Sequence, residues 1–175
     1  SVGTSAENVS LSEWQNTVAE AFSANGALIR AQAGFVPRAG QTEMALAVAR
    51  VVAEGGALVV EAGTGVGKSL AYLTALREAL ESKQITRAVV ATAKKTLQTQ
   101  LFKKDLPALS ALAPFRFASL KGKANYVCKL RFGEFLTDDS ALYEFREFGL
   151  AAFSKWVEED PVGDLSSFPD EIPFE

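Results

Sequence analysis

Histidine is missing from this chain of 175 residues, and cysteine occurs once, as Cys128. The first gap excludes imidazole catalysis and imidazole metal ligation within the chain. The second excludes an internal disulfide framework and fits a reducing compartment. No apolar stretch approaches the ~18 residues that a membrane-crossing helix requires, so no membrane is expected as a partner. The first residues lack the basic, apolar, small-residue order of a secretory leader, and a cytoplasmic location is the expectation. Internal repeats and low-complexity tracts are missing too.

What is present reads as a globular chain long enough for one good core. Hydrophobic residues make up 48% and charged residues 22%, a balance at which burial can offset chain entropy. The net charge of −3 conceals a segregation. Residues 83–131 hold 11 basic and 1 acidic side chains, whereas residues 132–175 hold 2 basic and 12 acidic ones. The middle block has the character of a polyanion-facing surface, and the last block that of a solvated acidic segment.

The chain is organised around Leu58-Val59-Val60-Glu61-Ala62-Gly63-Thr64-Gly65-Val66-Gly67-Lys68-Ser69. A short β-branched run enters a glycine-rich turn that ends in Gly-Lys-Ser, and a helical pattern follows at once. That order of strand, loop and helix is the context in which such a string cradles phosphate. Gly63, Gly65 and Gly67 allow positive φ and close approach, so the backbone N–H groups of Gly63 to Ser69, Thr64 and Val66 among them, can point into one hollow. The following helix adds the positive end of its dipole. Lys68 is then expected to reach the β- and γ-phosphates of ATP, and the Ser69 hydroxyl to hold Mg²⁺. Ala62 stands where the general pattern has a first glycine, which an α-carbon at φ < 0 tolerates.

Periodicity predicts further elements around this stretch. Ser10-Leu11-Ser12-Glu13 has the form of a capping box opening a short helix, whose apolar face is Leu11, Trp14, Val18, Ala21 and Phe22. A second helix carries Met44, Val48, Val51 and Val52, and Gly55-Gly56 ends it. The runs at 57–61, 87–91 and 116–120 read as strands, the first two without alternation, as in a buried parallel sheet. Leu70, Leu73, Leu76 and Leu80 define the helix after the glycine-rich turn, and Leu97 with Leu101 define another over 94–104. Asp105 is expected to cap a short helix through Leu112, with Pro107 in its first turn. Two helices are predicted beyond Asn125, one through Leu136 and a longer one over about 139–159. The expected fold class is therefore α/β: a P-loop NTPase parallel sheet with helices on both faces, plus a C-terminal helical insertion.

Four strings in this order resemble the DinG-like, XPD-related superfamily-2 DNA helicases, a group that often carries an iron–sulfur cluster. Phe35-x-x-Arg38-x-x-Gln41 resembles the family's adenine-recognition motif; an amide at Gln41 offers both a donor and an acceptor to a base edge. Glu61 to Ser69 resembles its nucleotide motif. Ala91-Thr92-Ala93 with Leu97-Gln98-Thr99-Gln100-Leu101 resembles the strand end and helix that grip the DNA backbone. Leu120-Lys121-Gly122-Lys123-Ala124-Asn125-Tyr126-Val127-Cys128 resembles the lead-in to the first cluster cysteine.

The resemblance implies an ATP- and Mg²⁺-dependent 5′-to-3′ helicase that translocates on single-stranded DNA and unwinds duplex, R-loop or D-loop structures. It places Phe35, Arg38, Gln41 and residues 63–69 on the nucleotide, and Thr92, Lys94, Gln98, Lys121 and Lys123 on nucleic acid. It makes Cys128 one ligand of a 4Fe-4S cluster, of which this chain supplies one of four thiolates. Forked or R-loop DNA, a replisome subunit or a CRISPR effector complex are the implied partners. The expected divisions are an N-terminal helical extension over 1–34, the first part of RecA-like helicase domain 1 over 35–124, and a helical segment opening an iron–sulfur-type insertion over 125–175. Asp170-Glu171 does not supply the family's acidic box, because Pro169 and no apolar strand precedes it, so the segment alone is expected to be inactive. The rival readings are a non-helicase P-loop NTPase or kinase, and a partner-binding module without catalysis of its own.

Overall fold

The structure is a computed structural model that describes residues 12–31, 35–63, 67–138 and 149–169. It divides into two compact units, Ser1–Ser119 and Leu120–Glu175.

The first unit is built from helices. α1 (Glu13–Ala21) starts at Ser12, whose N–H donates to Gln15 Oε1 at 2.9 Å. The cap therefore sits two residues later than Ser10, which lies outside the described residues, and Glu13 is the first helical residue instead of the reciprocal partner. Trp14, Val18, Ala21 and Phe22 are buried as the apolar face predicts. The chain turns at Gly26, where a Cβ would collide with the carbonyl oxygens of Glu20 and Ala21, and enters the short α2 (Ala27–Ala31).

α3 (Ala39–Glu54) and α4 (Lys68–Glu81) pack against each other, and α1 lies against both. Their buried positions are mostly small: Ala45 and Ala49 on α3, with Ala71, Ala75 and Ala79 on α4. Alanine lets two helix backbones approach closely at little rotamer cost. Met44, Val48 and Val52 pack at the edge of that contact instead of its centre. Full burial of larger side chains such as Val18 and Leu109 contributes roughly 1.5–3 kcal/mol each. Arg77 pairs with Glu78 at the margin of this core; burial lowers the pKa of the guanidinium, an effect that the Glu81 charge opposes.

The helix after residue 94 is one long rod with a widened turn. α5 (Lys95–Gln100) runs into a π-helical turn at Leu101–Asp105, and that turn into α6 (Leu106–Leu112). Asp105 is itself helical (φ −73°, ψ −46°), so it does not cap α6.

The expected α/β fold with a parallel, RecA-like P-loop sheet is corrected here. Among the described residues there is no strand, and the runs at 57–61, 87–91 and 116–120 form no β-ladder. Val59 is 96% and Val89 84% exposed, the reverse of a strand covered on both faces. The reason is that a helix closes its hydrogen bonds within its own segment, whereas a strand needs another backbone about 4.8 Å away. β-branched composition marks a segment suited to a covered sheet, and it does not supply the neighbour.

The second unit has its own small core. α7 (Lys129–Phe135) and α8 (Leu150–Glu159) bury Phe132, Phe153 and Val157. Phe153 stands edge-on to Phe132 (ring centroids 5.3 Å apart) and to Phe168 (5.1 Å). The longer helix expected over 139–159 is seen from Leu150 onward; its earlier part lies outside the described residues. The segment after Pro161 forms a 3₁₀ turn at Leu165–Ser167 and packs Leu165 and Phe168 onto the core.

Candidate functional site

In the first unit one side chain, Gln41, joins two helix N-termini. α4 begins directly at Lys68, and its N-cap is Gly67 in the left-handed region (φ 80°, ψ 38°). The first N–H groups of any α-helix have no partner within it, so this end presents donors and the positive end of a 14-residue dipole. Gln41, in the first turn of α3, is 4% exposed. Its Nε2 donates to the Gly67 carbonyl oxygen at 3.4 Å, and its Oε1 accepts from Arg38 N–H at 3.3 Å. A Cβ on Gly67 would strike the Gln41 amide. Only glycine combines this φ with this approach.

Lys68 folds back over the loop. Its Nζ donates to the carbonyl oxygens of Ala62 at 2.6 Å and Gly63 at 3.1 Å. The ammonium is thus seated on two neutral acceptors beside the α4 N-terminus. An anionic oxygen is a stronger acceptor than a carbonyl, so an incoming phosphate can draw the ammonium off this seat. Ser69 is half-buried in the first turn of α4, and Phe35 is half-buried against the same core. Arg38 is exposed; Thr64, Gly65 and Val66 lie outside the described residues.

The residues expected on nucleic acid fall into two groups. Thr92, Lys94 and Gln98 come together at the start of α5: Thr92 Oγ1 accepts from Lys94 N–H at 3.3 Å, and Gln98 N–H donates to the Lys94 carbonyl at 3.0 Å. Lys94 is exposed. Lys121 and Lys123 belong to the second unit. Lys123 is exposed, but the Lys121 ammonium bonds both oxygens of Asp164, at 2.9 and 2.7 Å, and Ser166 Oγ at 2.6 Å. Burial works against the Asp164 anion, yet the bonds from Lys121 and Ser166 outweigh it and hold its carboxyl below the usual range. Asp160 is lowered chiefly by the Gly163 N–H, with help from Val162, Ser167 and Lys129.

Cys128 is exposed at the N-cap of α7. Among the described residues no group of three His, Cys, Asp or Glu side chains could hold a metal ion. A 4Fe-4S cluster takes four ligands, mostly thiolates, and the single cysteine of this chain does not make such a set.

Sequence reasoning missed the Lys68 seat, because backbone carbonyls leave no residue signature. It also missed Asp164 and Ser166 as partners of Lys121. The Asp-Pro-Val-Gly-Asp string at 160–164 signals a turn, but nothing local says that the turn meets Lys121.

Comparison with known proteins finds similarity to proteins named as ATP-dependent DNA helicases. Over 161 residues, 88% of this chain, it is 39% identical to ATP-dependent DNA helicase YoaA of Haemophilus influenzae, of which it covers 24%. It is 43% identical over 109 residues to YoaA of Escherichia coli, covering 61% of this chain and 16% of that one. ATP-dependent helicase DinG of Mycobacterium tuberculosis is 46% identical over 110 residues, 58% of this chain and 16% of the relative. These similarities bear out the DinG-like resemblance. The chain spans about a quarter or less of the length of these curated relatives. No protein-family model matches it, and no solved structure does.

Proposed function

We propose that this chain is the nucleotide-gripping segment of an ATP-dependent DNA helicase. The observation that carries the reading is the junction of Gln41, left-handed Gly67 and Lys68 at the N-terminus of α4, in a chain 39% identical to a protein named as such a helicase. In this reading the triphosphate takes the place of the Ala62 and Gly63 carbonyls as the partner of Lys68. Residues 63–69 would surround the phosphates, and the Ser69 hydroxyl would hold Mg²⁺, whose charge would offset that of the phosphate oxygens. Phe35, Arg38 and Gln41 lie toward the base.

Thr92, Lys94, Gln98 and Lys123 grip the sugar–phosphate backbone of single-stranded DNA, with Lys121 joining them when it exchanges Asp164 for phosphate. The whole protein then translocates 5′ to 3′ and opens duplex, R-loop or D-loop DNA in the cytoplasm, alone or with a replisome or CRISPR partner. The ATP-binding part is residues 35–124, flanked by an extension over 1–34 and the helical segment over 125–175. No step is assigned to an iron–sulfur cluster. The test is ATP hydrolysis by the intact helicase with and without single-stranded DNA. DNA-stimulated turnover that disappears in Lys68→Ala supports the reading; turnover indifferent to both defeats it.

A further inference from the structure

The widened turn at Leu101–Asp105 is set by the sequence on either side of it. The inward-facing leucines fall at 97, 101, 106, 109 and 112, so one step of five residues interrupts the helical spacing of three or four. An α-helix would rotate Leu106 away from the core; a π-turn restores it, and the Leu106 N–H indeed donates to the Leu101 carbonyl. Pro107 adds a second cause. Its ring would press on the carbonyl four residues back, at Lys103, and it has no N–H to give. Widening the turn just before it relieves both problems.

The consequence lies on the opposite side of the rod. Leu101 is buried and Leu106 packs on the core, while Phe102, Lys103 and Lys104 face outward, with Phe102 37% exposed. The Phe102 ring is not loose. It stands edge-on to Phe117 (centroids 5.6 Å apart, planes at 79°), and Phe117 in turn lies 5.6 Å from Phe115, which packs on the core. Between those two rings in sequence sits Arg116, exposed. The carboxylate in this turn, Asp105, accepts from Gln100 Nε2 at 3.4 Å.

We infer that Phe102, braced by Phe117 and flanked by Lys103, Lys104 and Arg116, is a nucleobase-stacking platform for single-stranded DNA. A fixed ring with open surface is an ordinary edge-of-core phenylalanine when its neighbours are neutral. Here three exposed cations neighbour it or its brace in sequence, Lys103 and Lys104 directly after Phe102 and Arg116 directly before Phe117, within a block that carries 11 basic and 1 acidic residues. That pairing of an aromatic face with a basic track is how proteins hold unpaired strands: the cations take the phosphates and the ring takes a base. A duplex hides its base faces and has no use for Phe102. The inference rests on the proposed DNA-binding reading and adds a base contact to it.

The test is fluorescence anisotropy of the whole chain with labelled oligothymidylate, and with the same backbone carrying abasic sites. Phe102→Leu keeps an apolar side chain on Phe117 but removes the ring. It is expected to weaken oligothymidylate binding about fivefold, the lower end for one stacked base, and to leave abasic binding unchanged. Phe102→Trp is expected to hold wild-type affinity. Lys103→Gln with Lys104→Gln is expected to weaken both probes and to reduce the log–log salt slope by roughly 1.4. Wild-type binding with no change in Phe102→Leu overturns the platform and spares the wider reading. So does an equal loss on both probes, which would place Phe102 in folding alone. Failure of the wild-type chain to bind either probe defeats both.

Discussion

The Gln41 carboxamide holds the Gly67 carbonyl at 3.4 Å across 26 positions of sequence, and the same amide fills the space a Gly67 side chain would need. Gly67→Ala therefore meets two penalties, a left-handed φ of 80° and a collision. The expected cost is about 1–2 kcal/mol from the backbone alone, before the clash. Gln41→Ala in the same molecule removes the clash, so the double variant is expected to lose less than the sum of the singles. Urea denaturation of the four proteins measures this, and strict additivity would show that the two residues do not touch in solution.

Lys68 bonds to carbonyls that water can replace. Lys68→Ala should consequently shift ligand-free stability by no more than about 0.5 kcal/mol, as an ordinary surface change does. Its effect appears on adding Mg-ATP: the wild-type melting temperature rises and that of the variant does not. Equal rises in both would remove Lys68 from the phosphate site.

The Lys121–Asp164 pair is partly shielded, with side-chain exposures of 12% and 26%. It falls between exposed pairs, which contribute little, and buried ones, whose breakage costs several kcal/mol. Lys121→Gln is expected to destabilise the second unit by roughly 1–2 kcal/mol in urea. A midpoint unchanged from wild type would mean that the lysine is free for other partners.

Acid should loosen the second unit before the first. Asp160 and Asp164 both have lowered pKa values in the folded chain. A depressed carboxyl adds stability that is complete above the ordinary aspartate value near 4 and is lost as pH falls through the folded value beneath it. Titration from about pH 5 down to about pH 2 should unfold this unit, and Asp164→Asn should make the curve shallower. A flat wild-type curve over that range would show that neither carboxylate is tied in solution.

Much of the helical frame could be read from the residues. The Trp14–Val18–Ala21–Phe22 face, the stop at Gly55 and the start of α4 at Lys68 all follow from local spacing and caps, which act within a turn or two. What could not be read depends on distant partners. The β-branched runs around Val59 and Val89 spell strands, but whether another backbone bonds to them is decided elsewhere, and among the described residues neither run forms a strand. The π-turn was present in the five-residue step between Leu101 and Leu106 and in Pro107, yet taking 94–104 and 105–112 as separate helices hid it. At the candidate site, the glycines and Lys68 announced themselves; the bond from Gln41 to Gly67 did not, since a side chain 26 residues away leaves no periodic trace.

Trp14 is buried among the helices of the first unit, and Trp156 leans on Phe153 and Phe168 in the second. These are the only two tryptophans in the chain. Each unit thus carries one native indole, and with excitation to the red of tyrosine absorption, replacing either indole with phenylalanine leaves an emission spectrum that reports on the other unit alone. Melting, quenching and ligand titration can then be followed half by half in the undivided polypeptide, without attaching a dye.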